Sequence, residues 1–415
     1  MKITPTTLLP LVMTICATFL LTAVSYADVA PPNQPPGSNI TPGAKTTEVA
    51  MAAEYVLIEV EARKPLTDTR DNLSGNIAQA RVTATFTMTQ RGSKTEKMAV
   101  RFPLGNPSGE SDGFSEFPEV RNFKVSVDGK AARARIARQP GTSTTQGGDI
   151  ADVNWATFDA SFAPKKDVVI QVSYVLSATG YPPEASFYYI LQTGAGWRDK
   201  IGQADIVVRL PYTVTAESFF ADATAPKFVG NEARWQFKNL EPTKKDDVRF
   251  TVLAPSIWQG VLSGQAATKA KPNDGQVWLN LARAYRKALF IKYEPSANTA
   301  RFVAPATAAY EKALNLLPKS AEAKVEYAAA LSAFRPNPAG VPEQADLDNM
   351  SQIVDLLEAA LKLDKKLPAA QEAMLLAARD LEYWVRNADG DLADKTEALR
   401  NRVLKILERE GIAVG

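Results

Sequence analysis

The sequence predicts a chain in two parts, an all-β sandwich region followed by an all-α helical-repeat domain. Three observations carry this. Between Glu48 and about Pro255 apolar residues recur mainly at every second position. From Gln276 onward the spacing becomes three and four, in a stretch dominated by Ala, Leu, Glu and Lys. These are the periods of a half-buried strand and of an amphipathic helix. Finally, 415 residues are enough for two or three separate cores.

The first element, residues 1–27, reads as a secretory signal. Lys2 gives a basic start, Leu8 to Val24 is an apolar run, and Ser25-Tyr26-Ala27 forms the cleavage site. Pro10 and that site argue against a retained anchor, so no stable membrane span is expected after cleavage. Ile15 precedes Cys16 where lipidation would need a small residue. The chain is therefore expected to be exported, to a periplasmic, cell-surface or secreted location. Residues 28–47, rich in Pro, Gly and Asn, read as an extended tether.

Residues 48–255 hold the strands. In "QARVTATFTMTQ", Ala80, Val82, Ala84, Phe86 and Met88 fall on one face and Arg81, Thr83, Thr85, Thr87 and Thr89 on the other. Met98, Val100 and Phe102 repeat the pattern, as do Phe123, Val125 and Val127. Asp128-Gly129 then marks a hairpin turn. Further strands run through "NWATFDASF", "DVVIQVSYVLSA", "ADIVVRL", "EARWQFKNL" and "DVRFTVLAP". Many short strands between Gly, Pro, Asn and Asp predict a sandwich, either one large or two small. Residues 256–274, with weak periodicity, read as a linker.

Residues 275–415 are the helical domain. Trp278, Leu281, Ala282 and Tyr285, followed by Ala306, Tyr310, Ala313 and Pro318, resemble the two helices of a tetratricopeptide repeat. The connection is longer than that repeat's, since "KYEPSANTARF" intervenes. A second copy has Tyr327, Ala328 and Leu331, then Ile353, Leu357 and Ala360. A third hairpin without clear consensus covers "PAAQEAMLLAARDLEYWV" and "DLADKTEALRNRVLKILE". The resemblance implies a tetratricopeptide-like fold over the last third of the chain, with Trp278 and Tyr310 as buried partners.

Composition closes several chemistries. There is no histidine, and the single cysteine, Cys16, leaves with the signal. The mature chain has no disulfide, thiolate nucleophile, imidazole base or Cys/His zinc site. A formal charge of +2 gives no field that points to nucleic acid. Gly109-Glu110-Ser111-Asp112-Gly113 fits the G-x-S-x-G spacing of a nucleophile elbow, but Pro118 follows where a helix is needed and no histidine can take the proton. The same loop offers Glu110, Asp112 and Glu116 as oxygen ligands, in a spacing that matches no calcium loop. Asn387, Asp389, Gly390, Asp391 and Asp394 read as a helix end and a helix start.

Gly194-Ala195-Gly196 has the look of a phosphate loop. It lies between two strands rather than before a helix, and Asp199 stands at the third glycine position. It reads as a tight turn or bulge with Trp197 packing back on the sheet. "YILQTGAGWRDKIGQADIVVRLPY", with "ADVAPPNQPPGSN" after the signal, resembles a group of uncharacterised bacterial secreted proteins. Those share a Tyr-x-Leu-x-Thr-Gly-Ala-Gly-Trp segment in a β-rich domain of unknown function. The resemblance implies no activity. Tyr181, Phe187, Tyr188, Tyr189, Trp197 and Tyr212 cluster around it, as core rings or as a sugar-stacking surface.

The function expected is non-enzymatic binding or scaffolding of a protein partner, with no catalytic residue, cofactor or metal. Glycan or cell-envelope binding through sandwich aromatics is one alternative, and a carboxylate-based hydrolase is another. In a repeat array the first helix of each hairpin meets the partner. That register selects Asn280, Arg283, Lys287, Lys324 and Glu326 as partner-binding residues. The signal should be cut after Ala27. The intact mass of the exported form should start at Asp28, and a mass that retains Cys16 would refute the cysteine-free argument.

Overall fold

The computed structural model describes residues 40–43, 46–63, 78–105, 120–139, 153–180, 182–222, 224–243, 245–289, 298–334 and 342–413. The signal segment, most of the tether, and the Gly109–Gly113 loop lie outside them. Among the described residues a β-rich region precedes seven helices.

Eight strands form the main sheet. In spatial order they are β13 (Lys227–Val229), β14 (Glu232–Leu240), β11 (Ile201–Arg209), β2 (Val49–Ala62), β3 (Ala78–Gln90), β9 (Asp167–Ser177), β5 (Arg121–Val127) and β6 (Lys130–Ala132). All neighbours are antiparallel except β11 and β2, which run parallel. Asp128 and Gly129 turn β5 into β6 at positive φ, 48° and 75°, which the Asp-Gly pair tolerates. The alternation in β3 does what period two requires, burying Ala80, Val82, Ala84, Phe86 and Met88 and leaving the threonines on the other face.

Two smaller sheets share one face of this sheet. One has the order β1 (Thr41–Pro42), β4 (Glu96–Gly105), β8 (Val153–Phe162), β7 (Arg135–Gln139). The other has β10 (Glu184–Tyr189), β15 (Val248–Leu253), β12 (Phe219–Ala221). Trp235, Ile206, Val56, Ala84, Val172 and Val125 are register partners across six strands of the main sheet, and all are buried. They therefore mark one inner face. Phe102 of β4 packs at 5.0 Å from Phe123 and 5.2 Å from Tyr174 at one side of that face. Phe219 and Phe250 of the three-stranded sheet stack at 5.2 Å and meet Trp235 at the other.

Glu54 also points inward, as the register partner of Phe86 and Ala204, and is 1% exposed. The Tyr189 hydroxyl donates to its carboxylate at 2.6 Å. Burial, then the charge of Glu54, pushes the Tyr189 phenol well above its usual range, so it stays a donor at ordinary pH.

The glycine stretch is a single 3-10 turn, Gln192–Gly196, between β10 and β11. The Gly194 amide donates to the Leu191 carbonyl, and the Trp197 amide to the Gly194 carbonyl. Trp197 is buried, edge-on to Phe162, and its indole N–H donates to the Ile40 carbonyl at 3.0 Å.

The helices are α1 (Pro255–Ala270), α2 (Gly275–Leu289), α3 (Val303–Leu316), α4 (Ala321–Ala333), α5 (Gln344–Leu363), α6 (Pro368–Asn387) and α7 (Gly390–Arg409). They pack as hairpins α2/α3, α4/α5 and α6/α7, with α1 laid on α2. The stretch 256–274 expected as a linker is therefore mostly helix α1. Pro255 starts it at a position where its missing N–H costs nothing, and Trp258 and Val261 are buried. Gly264 breaks the apolar pattern in the sequence but is needed. A Cβ there would sit 2.9 Å from Leu281 Cδ1, so the glycine lets α1 and α2 close up. Helix α1 also touches β2 and β15, and Arg301 reaches the Ala216 carbonyl at 2.7 Å, so sheet and helices meet.

The expected Trp278–Tyr310 pairing is not found. Tyr310 stacks on Tyr327 at 5.1 Å and 15°, across the two hairpins. Trp278 is half-buried and its indole N–H caps the turn at the Pro272 carbonyl, 2.8 Å away. Near it, Tyr285 stacks instead on Phe302, which also meets Trp258. Gly390, read as ending a helix, opens α7 at φ 58°, and Asp391 in its first turn pairs with Lys395.

Tyr189→Phe removes the donor to a buried carboxylate. It should cost about 1–3 kcal/mol in urea unfolding followed by near-ultraviolet circular dichroism. A loss under about 0.5 kcal/mol, the size of a surface change, would mean that the bond does not support the sheets.

Candidate partner-binding face

Asn280, Arg283 and Lys287 lie three and four residues apart on α2, so they share one face. The Arg283 guanidinium reaches across to α4 and meets the Glu326 carboxylate, Nε to Oε2 at 2.7 Å. The hydrogen bonds to Glu326 raise the Arg283 pKa, so the guanidinium keeps its charge at any ordinary pH. Asn280 Oδ1 accepts from Arg283 Nη1 at 3.0 Å and from Gln276 Nε2 at 3.1 Å. Three of the five expected residues thus join in one network between the first helices of successive hairpins. Lys287 is exposed one turn further along. Lys324 is not brought to this face. It precedes Glu326 by two residues, which on a helix points it to the opposite side.

The third hairpin supplies residues that sequence reasoning missed. On α6 the buried pair Ala378 and Leu381 stands where Ala282 and Tyr285 stand on α2. In that alignment Leu376, Arg379 and Tyr383 occupy the positions of Asn280, Arg283 and Lys287. All three are exposed, Leu376 at 44% and Tyr383 at 49%. Helix α6 contacts α4, and α7 contacts α5, so the hairpins follow one another in order. The matching offsets Leu281-Ala282-Tyr285 and Ala377-Ala378-Leu381 were the signal available in the sequence.

Four of the six clustered aromatics, Phe187, Tyr189, Trp197 and Tyr212, are core. Tyr188 lies beneath the Arg249 guanidinium at 4.6 Å, and Tyr181 falls outside the described residues. Among the described residues no helix is long and apolar enough to cross a membrane.

On the far side of the hairpins a shallow pocket of about 520 Å³ opens between α5 and α7. Its floor is an ion-pair network centred on Glu358. Arg402 contacts it at 2.8 Å, Lys362 and Arg409 at 3.1 Å, and Arg402 also reaches Asp355 at 2.7 Å. Arg402, Lys362 and Arg409 are engaged with carboxylates, which reads as a clamp between helices.

No known family pattern matches this chain, and no curated protein matches it. Solved structures that are distantly similar include the following two. One, from Legionella pneumophila, is provisionally described as a nutrient binding protein. It is 18% identical, with a TM-score of 0.40, over 77% of this chain and 98% of that one. The other is an M1 zinc metallopeptidase from Deinococcus radiodurans, 11% identical with a TM-score of 0.25, over 89% of this chain and 95% of that one. Scores this low carry no functional argument.

The clamp makes acid stability testable. Arg402 first, then Lys362 and Arg409, hold the Glu358 carboxyl down to about 2 against the opposing effect of burial. Its unfolded value is near the usual 4.5, so the unfolded chain binds the proton first as pH falls. The stabilisation is complete above about pH 4.5 and is lost toward about pH 2, by about 1–3 kcal/mol after solvent screening. Melting temperatures across that range should show the loss in the native chain and a flatter profile in Glu358→Gln.

Proposed function

We propose that this is an exported, non-enzymatic binding protein whose helical part is a tetratricopeptide-like array. It grips a protein segment along the first helices α2, α4 and α6. The observation that carries this reading is the exposure of Leu376 and Tyr383, with Arg379 between them, at the positions that hold Asn280, Arg283 and Lys287 one array-end away. Large apolar side chains on a soluble helix face lose free energy in water that a partner would recover. A polar end and an apolar end on one continuous face would also fix the direction in which a segment lies.

The Arg283–Glu326 pair then acts as a strut. It holds α2 against α4 and sets the floor of the face, while Asn280 and Lys287 remain available at its edges. Lys324, turned away, has no part in it.

The test is photo-cross-linking in the native envelope from the full chain, with the cross-linker at position 383, at 287, or at 405 on the opposite side. Positions 383 and 287 should capture one and the same protein, and 405 should not. Leu376→Ser with Arg379→Glu should cut capture at least tenfold at an unchanged melting temperature. Equal capture from 405, or capture indifferent to both substitutions, would remove this face from the function.

A further inference from the structure

We propose that the outer face of the eight-stranded sheet binds a neutral oligosaccharide that lies across the strands over Tyr55. This is independent of the helical face. The argument starts from register. Gln236, Asp205, Tyr55, Thr85, Gln171 and Ser126 are side-by-side partners on six successive strands. Each sits next to a buried inward residue, so the row points to the side away from both small sheets. At about 4.8 Å per strand the row is about 24 Å long. An extended sugar chain advances by nearly one strand spacing per ring, so the two repeats run in step.

The chemistry of the row suits a polyhydroxyl ligand. Tyr55 is 45% exposed on β2, which with β3 forms the central pair of the eight strands. Its outward neighbours along β2 are Ala53 and Leu57, both half-buried, so Tyr55 is the most exposed of the three. The negative face of an aromatic ring attracts the polarised C–H groups of a sugar ring laid on it. On one side Asp205 is held in place, its Oδ1 accepting from Gln236 at 2.9 Å and its Oδ2 accepting from Gln203. A carboxylate so oriented keeps further lone pairs for hydroxyl donors. On the other side Gln171 donates to the Thr85 hydroxyl at 3.3 Å, a long bond that leaves the amide available to both donors and acceptors.

Charge and backbone narrow the occupant. The row holds one formal charge, Asp205. The nearest dense charges, Arg209 with Glu59 and Glu232, are already paired with one another further along the strands. The outward lysines nearest the row, Lys238 beside Gln236 and Lys124 beside Ser126, stand at its two ends, so an anionic polymer would meet a carboxylate beside the ring and cations only at the ends. A peptide strand has no backbone to pair with, because the groups of these central strands are used within the sheet. A neutral ligand read by side chains fits what remains.

The full mature chain should be titrated calorimetrically with cellohexaose, xylohexaose and chitohexaose, and with an oligogalacturonate as anionic control. At least one neutral hexasaccharide should bind with a Kd below about 1 mM, and its trisaccharide more weakly. Tyr55→Ala and Gln171→Ala should each weaken binding about tenfold or more at unchanged melting temperature. Tyr55→Trp should retain it, and Tyr383→Ser should not alter it. The proposal is overturned if none of the three binds at millimolar concentration, if the anionic control binds equally, or if Tyr55→Ala leaves affinity intact. It is also overturned if Tyr55→Ala instead dissolves a dimer or releases a protein partner.

Discussion

The hydrogen bond from the Tyr189 phenol to the Glu54 carboxylate ties the main sheet to the sheet that packs on it. A carboxylate taken from water costs several kcal/mol unless its oxygens are satisfied. Glu54 therefore demands that β10 arrive with Tyr189 at one height and no other. Slipping β10 by one residue would turn Tyr189 outward and bring Tyr188 to the acid instead. Once that register is set, the turn that leaves β10 begins at a defined point. One 3-10 turn then delivers Trp197 to Phe162 and to the Ile40 carbonyl. Tyr189 and Trp197, the two ends of the Tyr-x-Leu-x-Thr-Gly-Ala-Gly-Trp stretch, are anchors of a three-sheet junction. That gives both rings a structural role.

The same logic passes into the helices through α1. It follows β15 after a single residue and is packed on strands at one side and on α2 at the other. A helix shared in this way couples the orientation of the array to the sheets. From α2 onward, stacked rings (Tyr285 on Phe302, Tyr310 on Tyr327) fill the spaces that small residues such as Ala282, Ala306 and Ala313 open. The polar strut Arg283–Glu326 adds direction to a contact that apolar packing alone would leave free to slide.

Much of this was legible in the sequence, and the misses have causes. Period two in β3 and the Asp-Gly turn after β5 are local signals, set by backbone geometry and one-sided burial. Local signals are read reliably. Helix α1 was missed because Gly260 and Gly264 lower helix propensity and blur the apolar face. The reason for Gly264 is the close approach of Leu281, which no local pattern reveals. Tyr310 was matched to Trp278 on repeat spacing, yet ring partners are chosen by how hairpins stack on each other. Asn280, Arg283 and Glu326 could be placed from helical spacing. Lys324 failed on the same rule, since two residues do not share a face. Leu376 and Tyr383 lie in a hairpin without clear consensus, and only the offset from Ala378 shows them on the outside.

Ile40 has a mechanical consequence. It is fully buried, its carbonyl is bonded to the Trp197 indole, and the next two residues pair with β4 as an edge strand. Any pull on the chain ahead of Ile40 is transmitted into the centre of the β region, where an aromatic ring and a strand must shear together, rather than unzipping a loose end. If the Pro-rich segment leashes the protein to a surface, the load enters at Trp197, on the β side, and the helical array hangs beyond the point of attachment with no tension on it.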